Sequence, residues 1–122
     1  MSIDVKPKQI TKENFSKFGD LISTVNVKPT NINDGFAQRY DDLANLDTNK
    51  DSGKTIVSIF SALKRSFPMK INMMEKHPLG SQAFIPMKET TFLSFVAPGG
   101  NKPDLKLVEA FIIPKGLGIN YK

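Results

Sequence analysis

The stretch MKINMMEKHPLGSQAFIPM, residues 69–87, decides how this sequence is expected to fold. Its first nine residues alternate in character, and in a β-strand five side chains would share one face: Met69, Ile71, Met73, Glu75 and His77. Three of these side chains are apolar and the last two can exchange protons. We therefore expect a strand that runs along a core and ends at the mouth of a sheet, where polar groups meet solvent or a ligand.

The residues after this strand allow two interpretations of its polar end. The tight turn Pro78-Leu79-Gly80 would bring Gln82, on the next strand, back beside His77, the only histidine of the chain. The spacing E-x-H-x-x-x-x-Q resembles the first metal motif of cupin barrels, H-x-H-x-x-x-x-E, with Glu75 and Gln82 in place of two ligands. The alternative is a strand end that has left the core, with Glu75 and His77 simply solvated.

Composition narrows the class of protein. A chain of 122 residues is enough for one domain, residues 1–122. It has no cysteine, no run of 18 apolar residues and no apolar signal region at its start, so we expect a cytoplasmic protein that makes no membrane contact. The net charge of +5 comes from scattered lysines without interleaved aromatic residues, which argues against nucleic acid and is compatible with a small anionic substrate.

The remaining pattern predicts a mainly β protein with a short N-terminal helix. Thr11 is expected to cap a helix that runs to about Phe18 and stops at Gly19, with Phe15 and Phe18 facing the core. The predicted strands are residues 2–5, 55–63, 69–77, 82–87, 90–97, 106–114 and 119–121, and residues 21–27 are either a strand or an extended arm. Short strands at this spacing favour an antiparallel sandwich or barrel.

Several segments of the sequence resemble one enzyme family. EKHPLGSQAFIPM (75–87) is similar to the E-R-H-P-x-x-x-Q-x-F-I-P-M segment of the ureidoglycolate lyases, called ureidoglycolate hydrolases in older naming. INDGFAQRYDDL (32–43) resembles the family's I-N-x-G-x-x-x-R-Y-x-D-L. Three later blocks also match in order: APGGNKPDL (97–105), EAFI (109–112) and GLGINY (116–121). The resemblance covers roughly residues 3–122.

The resemblance implies a cupin-like jelly-roll barrel, usually paired as a homodimer. Family members continue after the G-x-G-V-N-Y block with a W-H-H-P or W-H-x-P segment on the next strand. This sequence ends at Lys122, just before that segment. We therefore expect a chain that is truncated at its C-terminus relative to the family and that lacks the last strands of the barrel together with one histidine of the site.

The family splits (S)-ureidoglycolate, an intermediate of allantoin and purine catabolism, into glyoxylate and urea. This elimination needs a base for the substrate hydroxyl and a proton for the departing urea. The resemblance points to Glu75 and His77 as the catalytic pair, since an imidazole changes charge near neutral pH and suits either transfer. Which of the two is the base stays open.

Four further residues are implied to bind substrate. Arg39 has the planar geometry for a carboxylate, although an ion pair with Asp41 or Asp42 is the alternative. Gln82 would hydrogen-bond the urea carbonyl or the hydroxyl. Asn33 and Gly35 could offer polar contacts, or could serve only as a turn. The aromatic and proline side chains nearby are expected to be core rather than substrate contacts: Phe84, Pro86, Phe92 and Phe95.

The sequence leaves open both the need for a metal cofactor and the exact activity. Nickel is associated with the family, and His77 with Glu75 could ligate a divalent ion, but so few ligands argue against tight binding and no cofactor is expected to be required. The alternative activities are an amidohydrolase that releases ammonia and another cupin enzyme, such as a sugar-phosphate isomerase. A non-catalytic cupin-like binding module is the third alternative.

Overall fold

A computed structural model describes residues 4–122, in which the strands form two three-stranded sheets and one hairpin. The strands are β1 (Pro7–Gln9), β2 (Gly19–Ile22), β3 (Thr30–Ile32), β4 (Ala37–Arg39), β5 (Gln82–Phe84), β6 (Phe92–Val96), β7 (Glu109–Ile113) and β8 (Gly118–Tyr121). The first sheet has the order β1-β7-β6, with β1 parallel to β7, and the second has the order β2-β8-β5. The mainly β prediction is confirmed, and the described strands do not close into one barrel.

A short α-helix, α1 (Lys12–Phe15), follows β1. Thr11 caps it as predicted: its hydroxyl accepts from the amide of Asn14 at 3.0 Å, and the Asn14 side chain accepts from the Thr11 amide at 2.7 Å. The helix ends earlier than the predicted Phe18 and continues as a turn. Among residues 4–122, no helix is long and apolar enough to cross a membrane.

An aromatic core joins the helix to both sheets. Phe15 and Phe111 are fully buried, and their rings meet edge to face with centroids 5.2 Å apart. The ring of Phe18, in the turn after α1, has its centroid 5.9 Å from that of Phe111, so both predicted core aromatics are buried. Ile119 of β8 and Ile113 of β7 complete the centre of this cluster. The core therefore lies where α1, β7 and β8 meet.

The strand β8 lies at the middle of the second sheet, where β2 approaches it very closely. Gly19, the first residue of β2, pairs with Tyr121. A Cβ atom on Gly19 would lie only 1.8 Å from the carbonyl oxygen of Asn120. Gly19 was expected only to stop the helix, and the structure adds a second reason for glycine, because no other residue leaves room for the neighbouring backbone.

An ion-pair cluster ties the N-terminal region to β7. Glu109 lies 2.6 Å from the ammonium of Lys8 and 2.7 Å from that of Lys17. The hydrogen bond from Lys17, followed by that from Lys8, holds the pKa of the Glu109 carboxyl below its usual value. These contacts fasten β1 and the turn after α1 to the start of β7.

Two predicted strands are wrong. The structure contains no strand between residues 53 and 81, so neither 55–63 nor 69–77 forms one. Most apolar side chains of the first segment are exposed, Val57 and Leu63 at 94%. Met69 and Ile71 are half-buried, but Met73 is exposed and Met74 is half-buried instead, which breaks the predicted alternation. Both segments have the composition of strands but find no pairing partner among the described residues.

The other predicted strands are present with different bounds. Residues 82–87, 90–97 and 106–114 contain β5, β6 and β7 in turn, and residues 119–121 lie within β8, which begins one residue earlier, at Gly118. The predicted strand 21–27 begins two residues earlier, at Gly19, and ends at Ile22. The strand predicted at residues 2–5 lies partly outside the described residues. Residues 4–5, which are described, are not in a strand.

Replacing Gly19 with alanine tests the close approach of β2 to β8. We expect Gly19→Ala to lower the free energy of unfolding by about 3 kcal/mol, because backbone must move to admit the Cβ. Gly99→Ala is the matched control, since nothing lies within 4 Å of a Cβ there, and we expect a change within about 0.5 kcal/mol. Urea denaturation followed by circular dichroism measures both. Equal stability of the two variants would contradict the assigned contact.

Candidate active site

A cavity of about 940 Å³ lies beside the core and receives side chains from both sheets. The second sheet contributes Gln82, Phe84 and Tyr121 to its wall, and the first sheet contributes Phe92 and Val96. The segment 74–77, together with the turn that follows it, forms another side of the cavity. A volume of this size is large enough for a small molecule, and the lining combines apolar side chains with charged and polar ones.

Glu75 and His77 meet at the edge of this cavity. The Nε2 atom of His77 lies 3.1 Å from Oε2 of Glu75, within hydrogen-bond distance. The side chain of Glu75 is 67% exposed and that of His77 is 53% exposed. Although they are not on a strand, both line the cavity, as the sequence motif suggested. Because a carboxylate only accepts hydrogen bonds, Nε2 of His77 is the donor in this contact and Oε2 of Glu75 is the acceptor.

Gln82 reaches the same cavity from the start of β5. It pairs directly with Tyr121 of β8, so the two side chains leave the sheet on the same face. Phe84, two residues further along β5, is on this face too, and its ring lies 5.8 Å from that of Tyr121. The structure thus brings Gln82 together with Glu75 and His77 around one cavity, through the turn and strand that the sequence predicted.

A polar network on the other face of β8 holds the cavity wall in place. Asn120 is fully buried and donates from Nδ2 to Oδ2 of Asp20 at 3.0 Å and to the carbonyl of Asn45 at 2.9 Å. The amide of Asn45 donates to the same Asp20 oxygen at 2.9 Å. Further along, the Ser81 amide donates to the Asp47 carbonyl at 2.8 Å. These bonds fasten the loop 45–47 next to β5 and so position Gln82.

Three predicted substrate contacts lie elsewhere. Arg39 is at the end of β4, and its Nε lies 3.1 Å from the carboxylate of Asp41, which is the ion pair considered as the alternative. Asn33 and Gly35 form an exposed turn between β3 and β4, with positive φ angles of 53° and 85°. None of these three residues is among the described residues that line the cavity.

Lysines line the cavity where an arginine was expected. They are Lys17, Lys50, Lys76 and Lys122. In a strand over residues 69–77, Lys76 would face away from His77, but these residues do not form a strand, and Lys76 lines the same cavity as His77. Its ammonium donates to the carbonyl of Gly100 at 2.7 Å, which leaves two of its three hydrogens for other acceptors. The only sequence signal for Lys76 was its position between Glu75 and His77.

The sequence reasoning also missed Tyr121 as a cavity residue. It appeared only as the last letter of the GLGINY block. Of the aromatic side chains expected to be core, Phe84 and Phe92 do pack against the core cluster, and they line the cavity as well. Phe95 also lines it.

Comparison with known proteins identifies the family. The model of the ureidoglycolate lyase family matches residues 2–122. A protein of Pseudomonas aeruginosa named ureidoglycolate lyase is 45% identical over 117 residues, which cover 96% of this chain and 69% of the relative. One of Pseudomonas putida with the same name is 44% identical over 112 residues, 92% of this chain and 67% of the relative.

The chain belongs to the ureidoglycolate lyase family. Two of the segments that resemble the family line the cavity: the 75–87 block supplies Glu75, His77 and Gln82, and the 116–121 block supplies Tyr121. The 32–43 block instead contains the turn and the second strand of the β3–β4 hairpin.

The family resemblance implies a divalent metal ion, and the side chains at the cavity offer few ligands for one. Among residues 4–122, no group of three or more histidine, cysteine, aspartate or glutamate side chains is placed to hold a metal. Glu75 and His77 are hydrogen-bonded to each other; the carboxylate of Asp47 and the weakly ligating amide of Gln82 also line the cavity, but Asp47 does not form a group with the pair that could hold a metal ion. The described residues therefore do not fit a tightly bound nickel ion.

Proposed function

We propose that this protein is a ureidoglycolate lyase that cleaves (S)-ureidoglycolate into glyoxylate and urea. Family membership supports the reaction, and the observation that carries the assignment to this site is the Glu75–His77 pair at a cavity shared with Gln82. The substrate has one carbon that bears a hydroxyl, a carboxylate and a urea nitrogen. Cleavage turns the hydroxyl into an aldehyde as the carbon–nitrogen bond breaks.

His77 is proposed to move the proton in this reaction. Glu75 accepts the hydrogen bond from Nε2, which orients the ring and stabilises the positive charge that forms on it. Nδ1 then takes the proton of the substrate hydroxyl. As the oxygen forms its double bond to carbon, the carbon–nitrogen electron pair moves to the urea nitrogen, and the protonated His77 returns one proton there. Urea and glyoxylate leave, and the imidazole is neutral again.

Gln82 is proposed to hold the ureido group. Its amide presents both a carbonyl and an NH₂ group, which complement the NH₂ and carbonyl groups of a urea. Its side chain makes no hydrogen bond to another described residue, so both ends are free to bind. Its position on β5 is rigid, because β5 is paired with β8.

The substrate carboxylate is proposed to bind Lys76. Its ammonium is at the cavity, next in sequence to both members of the catalytic pair. Arg39 stays the alternative, but it would have to leave Asp41 and reach the cavity from the β3–β4 hairpin. The two residues can be separated experimentally.

Variants of the catalytic pair test the proposed chemistry. We expect His77→Ala to lower kcat for glyoxylate release by about 100-fold or more, because the proton acceptor is removed. Glu75→Gln should lower it by at least about 10-fold, since the ring loses its anionic partner. Both are measured by following glyoxylate, urea and ammonia together from (S)-ureidoglycolate.

The matched control is Glu89→Gln, an exposed glutamate away from the cavity, which should keep the wild-type rate. Urea without ammonia identifies a lyase, whereas ammonia identifies an amidohydrolase. No glyoxylate release by the wild-type protein, or equal rates for His77→Ala and Glu89→Gln, would overturn the assignment.

Variants of Lys76 and Arg39 are compared by their KM for ureidoglycolate. Replacing the carboxylate partner with a neutral side chain removes a charge-assisted hydrogen bond, so Lys76→Gln should raise KM by about 10-fold. Arg39→Gln should change KM by less than about 2-fold. The reverse result would assign the carboxylate to Arg39 and would require the hairpin to close over the cavity.

We also propose that the protein is a homodimer of the cytoplasm. The exposed apolar side chains of residues 56–63 support this, because a monomer that leaves so many apolar groups in water is prone to associate. Light scattering should give about twice the monomer mass of 13.6 kDa, and Val57→Lys should shift the protein towards the monomer. Phe36→Lys, at an equally exposed residue outside this segment, should not. A monomeric wild-type protein would contradict the proposal.

A further inference from the structure

A pair of hydroxyl groups links the two sheets next to the cavity. The Tyr121 hydroxyl of β8 and the Ser94 hydroxyl of β6 lie 2.5 Å apart. Ser94 is only 3% exposed, and Tyr121 is half-buried with its ring against Phe15 and Phe84. Burial raises the pKa of the Tyr121 phenol, although the hydrogen bond with Ser94 opposes part of that rise. The phenol therefore keeps its proton at neutral pH.

The Tyr121–Ser94 pair has one hydroxyl hydrogen that the bond between the two residues does not use. The two hydroxyls carry one hydrogen each, and their mutual bond uses only one of them. Within residues 4–122, neither oxygen makes any further hydrogen bond. Leaving a polar hydrogen buried without an acceptor costs about 1–3 kcal/mol. The spare hydrogen is therefore available to an acceptor that enters from the cavity, whose wall Tyr121 forms.

The position of Gln82 shows which part of a ligand this donor would meet. Tyr121 and Gln82 are direct partners across β8 and β5, and both side chains line the cavity. Glu75 and His77 lie at the cavity as well, but on the separate segment that precedes β5. The face of the sheet thus presents a neutral hydroxyl donor beside an amide, and neither carries a charge.

We propose that the Tyr121–Ser94 pair, together with Gln82, forms the subsite for the ureido group and donates a hydrogen bond to its carbonyl oxygen. A neutral donor and an amide suit an uncharged urea better than a carboxylate, which favours the lysines. When the carbon–nitrogen bond breaks, the departing electron pair is shared between the urea nitrogen and the carbonyl oxygen. A donor on that oxygen stabilises the leaving group as charge develops there. This inference rests on the proposed function.

The test uses urea and glyoxylate, the two products, as separate ligands. Each is titrated into the purified protein and followed by NMR, in parallel with turnover of ureidoglycolate. Tyr121→Phe keeps the ring that packs on Phe15 and Phe84 but removes the hydroxyl. We expect it to weaken urea binding about 10-fold, to leave glyoxylate binding within about 2-fold, and to lower kcat/KM by at least about 10-fold.

Two further variants complete the experiment. Tyr40→Phe removes the hydroxyl of the other tyrosine of the chain, which lies outside the cavity, and should leave all three quantities unchanged. Ser94→Ala should weaken urea binding less than Tyr121→Phe, because the phenol can then turn its single hydrogen to the ligand. Circular dichroism and thermal melting confirm that each variant is folded.

The outcomes separate this inference from the proposed function. If the wild-type protein releases glyoxylate but Tyr121→Phe binds urea and glyoxylate as the wild type does, the subsite is wrong and the lyase assignment stands. If there is no turnover but urea binding depends on Tyr121, the lyase assignment fails and the subsite stands. Equal weakening of urea and glyoxylate, or no urea binding to the wild type, would overturn the subsite.

Discussion

The pairing of β8 on both of its edges is the constraint on which the rest of the structure depends. Tyr121, near its end, lies opposite Gly19 of β2 on one side and opposite Gln82 of β5 on the other. Because side chains alternate along a strand, Ile119 and Tyr121 face the core and the cavity, while Asn120 faces the loop 45–47. One short strand thus fixes the core, the cavity wall and the loop behind it.

The absence of a side chain at Gly19 makes this arrangement possible. A larger residue would push β2 away from the carbonyl of Asn120, and the network of Asn120 with Asp20 would open with it. That movement would also displace the cavity wall, because the loop held by this network is hydrogen-bonded to Ser81, just before Gln82. Stability and site geometry are therefore coupled through backbone contact rather than through a catalytic side chain.

Three parts of the cavity wall carry different kinds of chemical group. The segment 75–77 supplies the pair proposed to transfer protons, the lysines supply positive charge, and the face of the second sheet supplies neutral hydrogen-bonding groups. A substrate with a hydroxyl, a carboxylate and a ureido group has one feature for each. The apolar residues among them, Phe84 and Phe92, reduce the access of water and strengthen the polar contacts that form.

The sequence by itself determined the family segments, the capped helix and the composition of the strands, because these depend on neighbouring residues. Only the tertiary structure decided that 55–63 and 69–77 stay unpaired and that Tyr121 meets Ser94. The physical reason is that strand pairing and side-chain contacts join residues far apart in the chain. An alternating pattern shows that a segment can bury one face, but it does not show whether a partner strand is available.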